Sequence, residues 1–362
     1  METPLPSPAL SPQFRLMVAC CKALIEPGSA GALAGRVDPA HVAGLAALAR
    51  RHRVEGLVWS ALRAAGLDGD DPAFAPLAAE ARTISQLGLR AAAESARLQA
   101  VFAAAGVDLL FLKGLTAGQL AYGNAFVKMS WDIDLLVAPA DVAAAAELLA
   151  QCGYRCGIPG EQADLARWHR AHKESVWQGG DGVHHVELHS RLADNPALIP
   201  SIGMASPRQS VTIAPGIELP TLAHDELFAY LCVHGASSAW FRLKWIADFA
   251  GLLGGCDGGA IERLYRRSQE LGAARSAAQA LIVAHALFDL PVAPHLLAEL
   301  ERSAVNRWLA AIALGELRAA RSPTERRLGT AIIHLSQLLL KPGIRFGWNE
   351  LRRQVRAALA NR

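Results

Sequence analysis

Long hydrophobic runs are missing from this chain: nowhere do uninterrupted apolar residues approach the roughly twenty that a membrane-spanning helix needs. Yet 52% of its 362 residues are hydrophobic. Alanine inflates that fraction and aromatics make up only 6%, a composition that favours abundant helix. Net charge is scarce too. Thirty-six Lys and Arg against 33 Asp and Glu leave +3, too little to imply a nucleic-acid partner by itself. Cys20, Cys21, Cys152, Cys156, Cys232 and Cys256 follow no zinc or disulfide spacing. They read as reduced, buried thiols, for which a cytoplasmic location is expected. The opening METPLPSPALSPQF lacks a basic region followed by an apolar core, so no secretory signal is expected in it.

What is present divides into five stretches. Residues 1–13 read as a Pro-rich disordered lead-in, and residues 14–106 as a helical region. That region ends in a long helix from about Pro72 to Ala105, with Asp71 as its N-cap and Gly106 just past its end. His52 and Arg53 read as surface or satisfied interface residues. Residues 107–220 alternate short strands with short helices, which predicts a compact mixed α/β core. Within it, Pro220-Thr221 marks a boundary after a Pro-rich stretch with an edge strand at about Ser210 to Ala214. Residues 221–340 read as a helical domain with helices at about 223–236, 240–254, 258–271, 274–288, 293–302, 304–320 and 325–340. Residues 341–362 form a basic amphipathic tail, predicted to dock through a stripe of Leu351, Val355 and Leu359. The fold class is therefore α+β and mostly helical, with a small mixed sheet between two helical regions.

The chemistry concentrates between Val107 and Val137. Side chains on a strand alternate between faces, so Asp132 and Asp134 of the Asp132-Ile133-Asp134-Leu135-Leu136-Val137 run share one face while Ile133 and Leu135 point into a core. Paired carboxylates invite a hard divalent cation between them. Asp68 and Asp70 have the same spacing, but in a Gly- and Pro-rich context that reads as a solvated loop. Earlier, an apolar run from Val107 to Leu112 delivers Lys113-Gly114, followed by a possible short helix, Leu115 to Tyr122. The glycine allows close backbone approach, the helix start offers free N–H groups and its dipole, and Lys113 adds a full charge: an anion site. Phosphate at one end and metal at the other suggest a nucleoside triphosphate.

A second polar face lies in Val183 to Ser190, VHHVELHS, where His185, Glu187 and His189 alternate with Val186 and Leu188. Beside the Asp132-Ile133-Asp134 strand, Glu187 would be a third metal carboxylate. The alternatives are a zinc or iron site of His185, Glu187 and His189, or a solvated surface. In HGASSAWFRLKWIADFAGLL, from His234 to Leu253, Arg242, Lys244 and Asp248 are placed to close over a nucleotide. Lys244 and Asp248 are also spaced for an ion pair. Trp240, Leu243, Trp245 and Phe249 read as core.

Taken together, Lys113-Gly114 after a strand, the Asp132 to Val137 run about twenty residues later, Gly153-Tyr154, Val186-Glu187-Leu188-His189 and the Trp240 to Asp248 segment resemble the uncharacterised nucleotidyltransferase family. That family belongs to the DNA polymerase beta-like nucleotidyltransferase superfamily, and some members lie in lasso-peptide clusters. The resemblance spans about His41 to Leu253. It implies that Asp132, Asp134 and Glu187 are catalytic and bind two Mg2+ ions, with Mn2+ as the alternative. Lys113, Gly114, Lys128, Arg242 and Lys244 are the residues expected to bind the nucleotide, ATP or another NTP. The expected activity is nucleotidyl transfer (EC 2.7.7-like) to a peptide, protein or small-molecule acceptor, with pyrophosphate released. Three features depart from the superfamily pattern: Lys113-Gly114 where Gly-Ser is usual, Lys128 where an arginine is expected, and Glu187 in place of Asp. Bulky Trp131 also directly precedes Asp132. A non-catalytic nucleotide-binding or scaffold protein, and a metal-dependent phosphotransferase or hydrolase, are the alternatives. No basic groove rich in aromatics is present, which argues against nucleic-acid polymerisation.

Overall fold

A computed structural model describes residues 10–26, 44–67, 72–158 and 164–360, with positions 28, 29, 31, 33, 35, 37 and 42 between the first two stretches. Asp68, Asp70 and Asp71, and residues 1–9 of the expected lead-in, lie outside them. The fold is α+β and mostly helical, with fifteen α-helices among the described residues, a five-stranded mixed sheet and a two-stranded ribbon. No helix is long and apolar enough to cross a membrane among those residues.

The first helix, α1 (Pro12–Ile25), starts inside the expected lead-in because Ser11 accepts the Phe14 N–H at 3.2 Å and Pro12 suits a first helical turn. Helices α2 (Leu45–His52), α3 (Glu55–Ala64) and α4 (Ala75–Ala104) follow. The sheet is then laid down as β1 (Leu110–Phe111), β2 (Asp132–Leu136), β3 (Tyr154–Cys156), β4 (Glu174–Gly179) and β5 (His185–His189). Between these strands lie α5 (Leu115–Tyr122), α6 (Val142–Gln151) and α7 (Leu165–Ala171). The spatial order is β1-β2-β5-β4-β3, with only β2 and β5 parallel. Strand alternation separates the two faces. Ile133, Leu135, Val186 and Leu188 pack with Ala92, Leu98 and Phe102 of α4 and Val142, Ala145 and Leu149 of α6 in one apolar core. Each of the buried Val, Leu, Ile and Phe side chains contributes about 1.5–3 kcal/mol, which holds the polar faces of β2 and β5 turned the other way.

That other face meets a larger core shared by the N-terminal helices and those after residue 222, where Met17, Leu57 and Leu110 join Phe228, Trp240 and Phe249. Two helices line the site from this side: α8 (His224–Ser237) and α9 (Leu243–Leu252). Next come α10 (Gly258–Glu270), α11 (Ala274–Phe288), α12 (Pro294–Arg302), α13 (Ala304–Arg318), α14 (Ala331–Gln337) and α15 (Ile344–Ala360).

Three expectations need correction. The break expected at Pro220-Thr221 falls inside a strand: β6 (Arg208–Ala214) pairs with β7 (Ile217–Leu222) straight through Pro220. A two-stranded ribbon has two edges, so a missing N–H there breaks no central ladder. The helix expected from 325 starts at Ala331 instead, after a short turn that Ser322 and Glu325 cap reciprocally. Finally, the terminal helix does not dock through Leu351, Val355 and Leu359, which are 39%, 50% and 64% exposed. It docks through Phe346 and Glu350, with Glu350 accepting from Asn195 Nδ2 at 2.7 Å and from Arg353 at 2.6 Å. One residue on is about 100° round the helix, so an anchor at Glu350 carries Leu351 away from the body.

Helix α9 reaches the site by close backbone approach to α5. A methyl group at Gly251 would lie 2.7 Å from the Ala121 Cβ and 2.8 Å from its carbonyl oxygen. We expect Gly251→Ala to destabilise the protein by about 1–3 kcal/mol through overpacking; urea unfolding measures this, and an unchanged midpoint would show that the two helices part freely.

Candidate active site

Parallel pairing of β2 with β5 sets Asp132 opposite His185 and Asp134 opposite Glu187, and antiparallel pairing of β4 with β5 sets Glu174 opposite His189. Carboxylates distant in sequence thus gather on one polar sheet face. The His189 Nε2 lies 3.2 Å from Asp134, 3.2 Å from Glu174 and 3.5 Å from Glu187. The Lys113 ammonium, delivered just after β1, sits 2.7 Å from Asp134 Oδ1 and 3.9 Å from Glu187. Lys173 pairs with Glu174.

The charges are not equally comfortable. Burial works against ionised Asp134, but Lys113 and the His189 hydrogen bond override it and hold the carboxyl well below the usual carboxylate range. Burial likewise opposes the Lys113 charge, and Asp134 keeps the ammonium protonated far above its ordinary range. Asp132 is pushed up by burial and by Asp134, and Glu187 by burial and by Asp134 against the help of His189. Both therefore carry charge that the site's cations do not fully balance.

Asp134, Glu187 and His189 offer ligand atoms that all lie within 4.8 Å of one another. Two carboxylates and an imidazole at that spacing fit a divalent cation, the oxygens suiting Mg2+ and the imidazole widening the choice toward softer ions. The surplus negative charge on Asp132 and Glu187 is what such an ion would relieve. His185 stays outside this group, so the face does not make the His185, Glu187 and His189 set.

The polar face forms one wall of a pocket of about 230 Å³. Its rim holds the Lys113-Gly114 turn, where Gly114 has φ +67° and a Cβ would stand 2.5 Å from Ser130 Oγ. Only glycine takes that turn cheaply. Helix α5 starts at Leu115 directly after it, so its free N–H groups belong to the same corner. Lys244 and Arg53 also line the pocket, as does the half-exposed Trp131.

The remaining sequence candidates divide. Lys128 lines the pocket but is buried and paired with Asp248 at 2.5 Å, and Asp248 also accepts from the Tyr122 hydroxyl at 3.0 Å. Asp248 therefore does not pair with Lys244 as its spacing suggested, because the shorter contact with Lys128 takes its charge. Arg242 does not line the pocket; its guanidinium lies 5.0 Å over the Phe241 ring. Burial, then Arg53, lowers its pKa to about 10. Among the residues not singled out for nucleotide binding, Arg53 takes a place in the wall. Its neighbour His52 is fully buried, and its Nδ1 accepts the Leu243 N–H at 3.1 Å where α9 begins. Burial lowers the His52 pKa to about 3, keeping it a neutral acceptor.

Glu174, Lys173 and His234 also line the pocket without having been singled out. His189 had a legible signal, since it shares a strand face with Glu187. Glu174 had none, because only pairing across β4 and β5 makes it a neighbour of His189.

Two consequences are measurable. Lys128→Met leaves the Asp248 carboxylate buried without its cation, so we expect a loss of about 3–5 kcal/mol in chemical unfolding; a loss below about 1 kcal/mol would mean that Asp248 finds other support. Burial and Lys128 hold the Lys244 pKa down at about 7, and no ion pair within 4 Å relieves it among the described residues. A polyphosphate that pairs with Lys244 raises its pKa, so binding takes up a proton above pH about 7. Affinity for inorganic tripolyphosphate should fall as pH rises from about 7 to 9 in calorimetric titrations. Lys244→Gln should flatten that slope, and an undiminished slope would place the titrating group elsewhere.

No curated protein matches the chain. The sequence pattern of the uncharacterised nucleotidyltransferases matches residues 38–289, well over half of its length. With that match covering both the carboxylate face and the helices that close over it, the chain belongs to the uncharacterised nucleotidyltransferase family.

Proposed function

We propose that this protein transfers a nucleoside monophosphate from an NTP, ATP being the first candidate, to a small-molecule, peptide or protein acceptor and releases pyrophosphate. One observation carries this reading: Asp134 stands in register with Glu187, with Asp132 two residues before it on the same strand face, and all three line one pocket with the Lys113-Gly114 turn. That juxtaposition pairs a place for a cation with a place for the phosphates it would bind.

In this reading Asp134, Glu187 and His189 would hold a divalent cation, Mg2+ or Mn2+, and Asp132 would help hold a second. Bound there, such ions neutralise the phosphates and lower the pKa of an acceptor hydroxyl. The other roles belong to the chain itself. Lys113, the Gly114 backbone and the first turn of α5 hold the departing pyrophosphate, and Lys244 and Arg53 meet its outer oxygens. Trp131 offers an apolar surface for the base. Glu187 or Asp134 takes the acceptor's proton. Six free thiols support a cytoplasmic location.

One observation favours a second reading. The Lys113 ammonium already stands against Asp134 at 2.7 Å, supplying the positive charge that an ion would bring. A protein that binds nucleotides without turning them over would keep that pair.

The deciding experiment measures pyrophosphate release from each of the four NTPs, with Mg2+ or Mn2+ and a pool of cell-extract acceptors. Asp132→Asn/Asp134→Asn should lower release by about a hundredfold or more while circular dichroism stays native. Nucleotide binding by folded wild type without any pyrophosphate would reject transfer in favour of the binding protein. Release of inorganic phosphate alone would point to a hydrolase.

A further inference from the structure

A second cavity, of about 1110 Å³, lies between α7 and α15, and six arginines line it: Arg167, Arg170, Arg191, Arg352, Arg353 and Arg356. Two of them have structural duties. Arg191 donates to the backbone carbonyls of Ala193 and His169, and Arg353 pairs with Glu350. The other four are exposed, and no carboxylate lies within ion-pair distance of any of them among the described residues. Arg167 and Arg170 are three apart on α7, and Arg352 and Arg356 four apart on α15, so each pair shares one helix face. Two helices thus present two guanidinium pairs to one concavity.

Four unpaired cations around one hollow repel each other and do nothing for folding that a neutral side chain would not do better. The cavity's acidic groups do not balance them. Asp164, which also caps α7 by accepting the Arg167 N–H at 2.8 Å, and Asp194 are two carboxylates against six guanidiniums, of which Glu350 pairs with one. Guanidinium forks match phosphate oxygens bidentately, and the hollow is far larger than one phosphate. Its aromatic pair, Trp168 and His172, is stacked on itself at 3.9 Å. Those facing surfaces are unavailable to nucleobases, on whose stacking single-strand binding depends. We propose that this cavity binds a compact ligand carrying several phosphate groups.

The cavity also adjoins the active site. Trp168 donates its indole N–H to the Glu174 carbonyl oxygen at 2.8 Å, and the Glu174 carboxylate lies 3.2 Å from His189. His172 lines the cavity while Lys173 lines the active-site pocket. On the nucleotidyl-transfer reading, on which this extension rests, the polyphosphorylated ligand is the acceptor, anchored at the arginines with its nucleophile at the Glu174 edge. The binding itself does not depend on that reading.

The test titrates inositol hexakisphosphate, a compact polyphosphate ester, into the full chain by calorimetry at physiological salt. One-to-one binding should weaken about tenfold or more in Arg167→Gln/Arg170→Gln and in Arg352→Gln/Arg356→Gln. It should persist in Arg345→Gln, which removes a charge from α15 outside the cavity, and in Asp132→Asn/Asp134→Asn. Absent binding, binding indifferent to both double variants, or displacement of the probe by a ten-nucleotide single-stranded RNA at lower concentration overturns the proposal. Absence of probe binding to a wild-type protein that releases pyrophosphate would reject this site and leave nucleotidyl transfer standing. Arginine-dependent binding in a protein that releases no pyrophosphate keeps the site and rejects its role as acceptor site.

Discussion

Like charges crowded on one face of a sheet whose other face is dry core are the constraint on which this structure turns. Register forces Asp134 opposite Glu187, with Asp132 two residues away and Glu174 across the next strand. In water such a group would cost little, but between two apolar cores each carboxylate must find a cation or a proton. Lys113 answers for Asp134 and Lys173 for Glu174. Asp132 and Glu187 are left pushed toward protonation. A protein selected for stability alone would not keep that imbalance, and unbalanced ionisable groups in a cleft are what a reactive site requires.

The helices complete the electrostatics as much as the packing. Helix α9 lies against α5 because Gly251 lets the backbones meet over Ala121. The same contact sets Asp248 within reach of Lys128 and Tyr122. With Asp248 spoken for, Lys244 is left without an ion-pair partner among the described residues, and its lowered pKa records the cost of that position. Stability at one end of α9 and readiness for an anion at the other thus come from one arrangement. The site also continues past the pocket: the strand that carries Glu174 is tied through Trp168 to a hollow lined by arginines. Inside the pocket cations pair with Asp134, Asp248 and Glu174, whereas four arginines of the hollow have no ion-pair partner among the described residues.

How much of this was legible in the chain follows from the range of the interactions. The alternation of β2 and β5 named the polar faces, because strand periodicity is local. Lys113-Gly114 and helix α5 were legible for the same reason: a turn and the helix after it lie within about ten residues. The family resemblance ordered these pieces and covers much of the matched stretch. Harder were ion pairs between residues with comparable local options. Lys244 had Asp248 four residues away, yet Asp248 pairs with Lys128, 120 residues earlier in the chain. The terminal helix misled for a related reason, since its apolar stripe gives no information about which face an Asn195 to Glu350 hydrogen bond will turn inward.

The amino-acid sequence by itself determined the class of fold, the two polar strand faces and the glycine turn, all of which rest on periodicity and backbone freedom within a few residues. Tertiary structure alone decided which charges meet. Glu174 joined the site through strand pairing, Asp132 and Glu187 were left strained by burial, and four arginines from distant helices came to face one hollow. Coulomb interactions and desolvation depend on distance and surroundings in space, and neither is encoded in residue spacing along the chain.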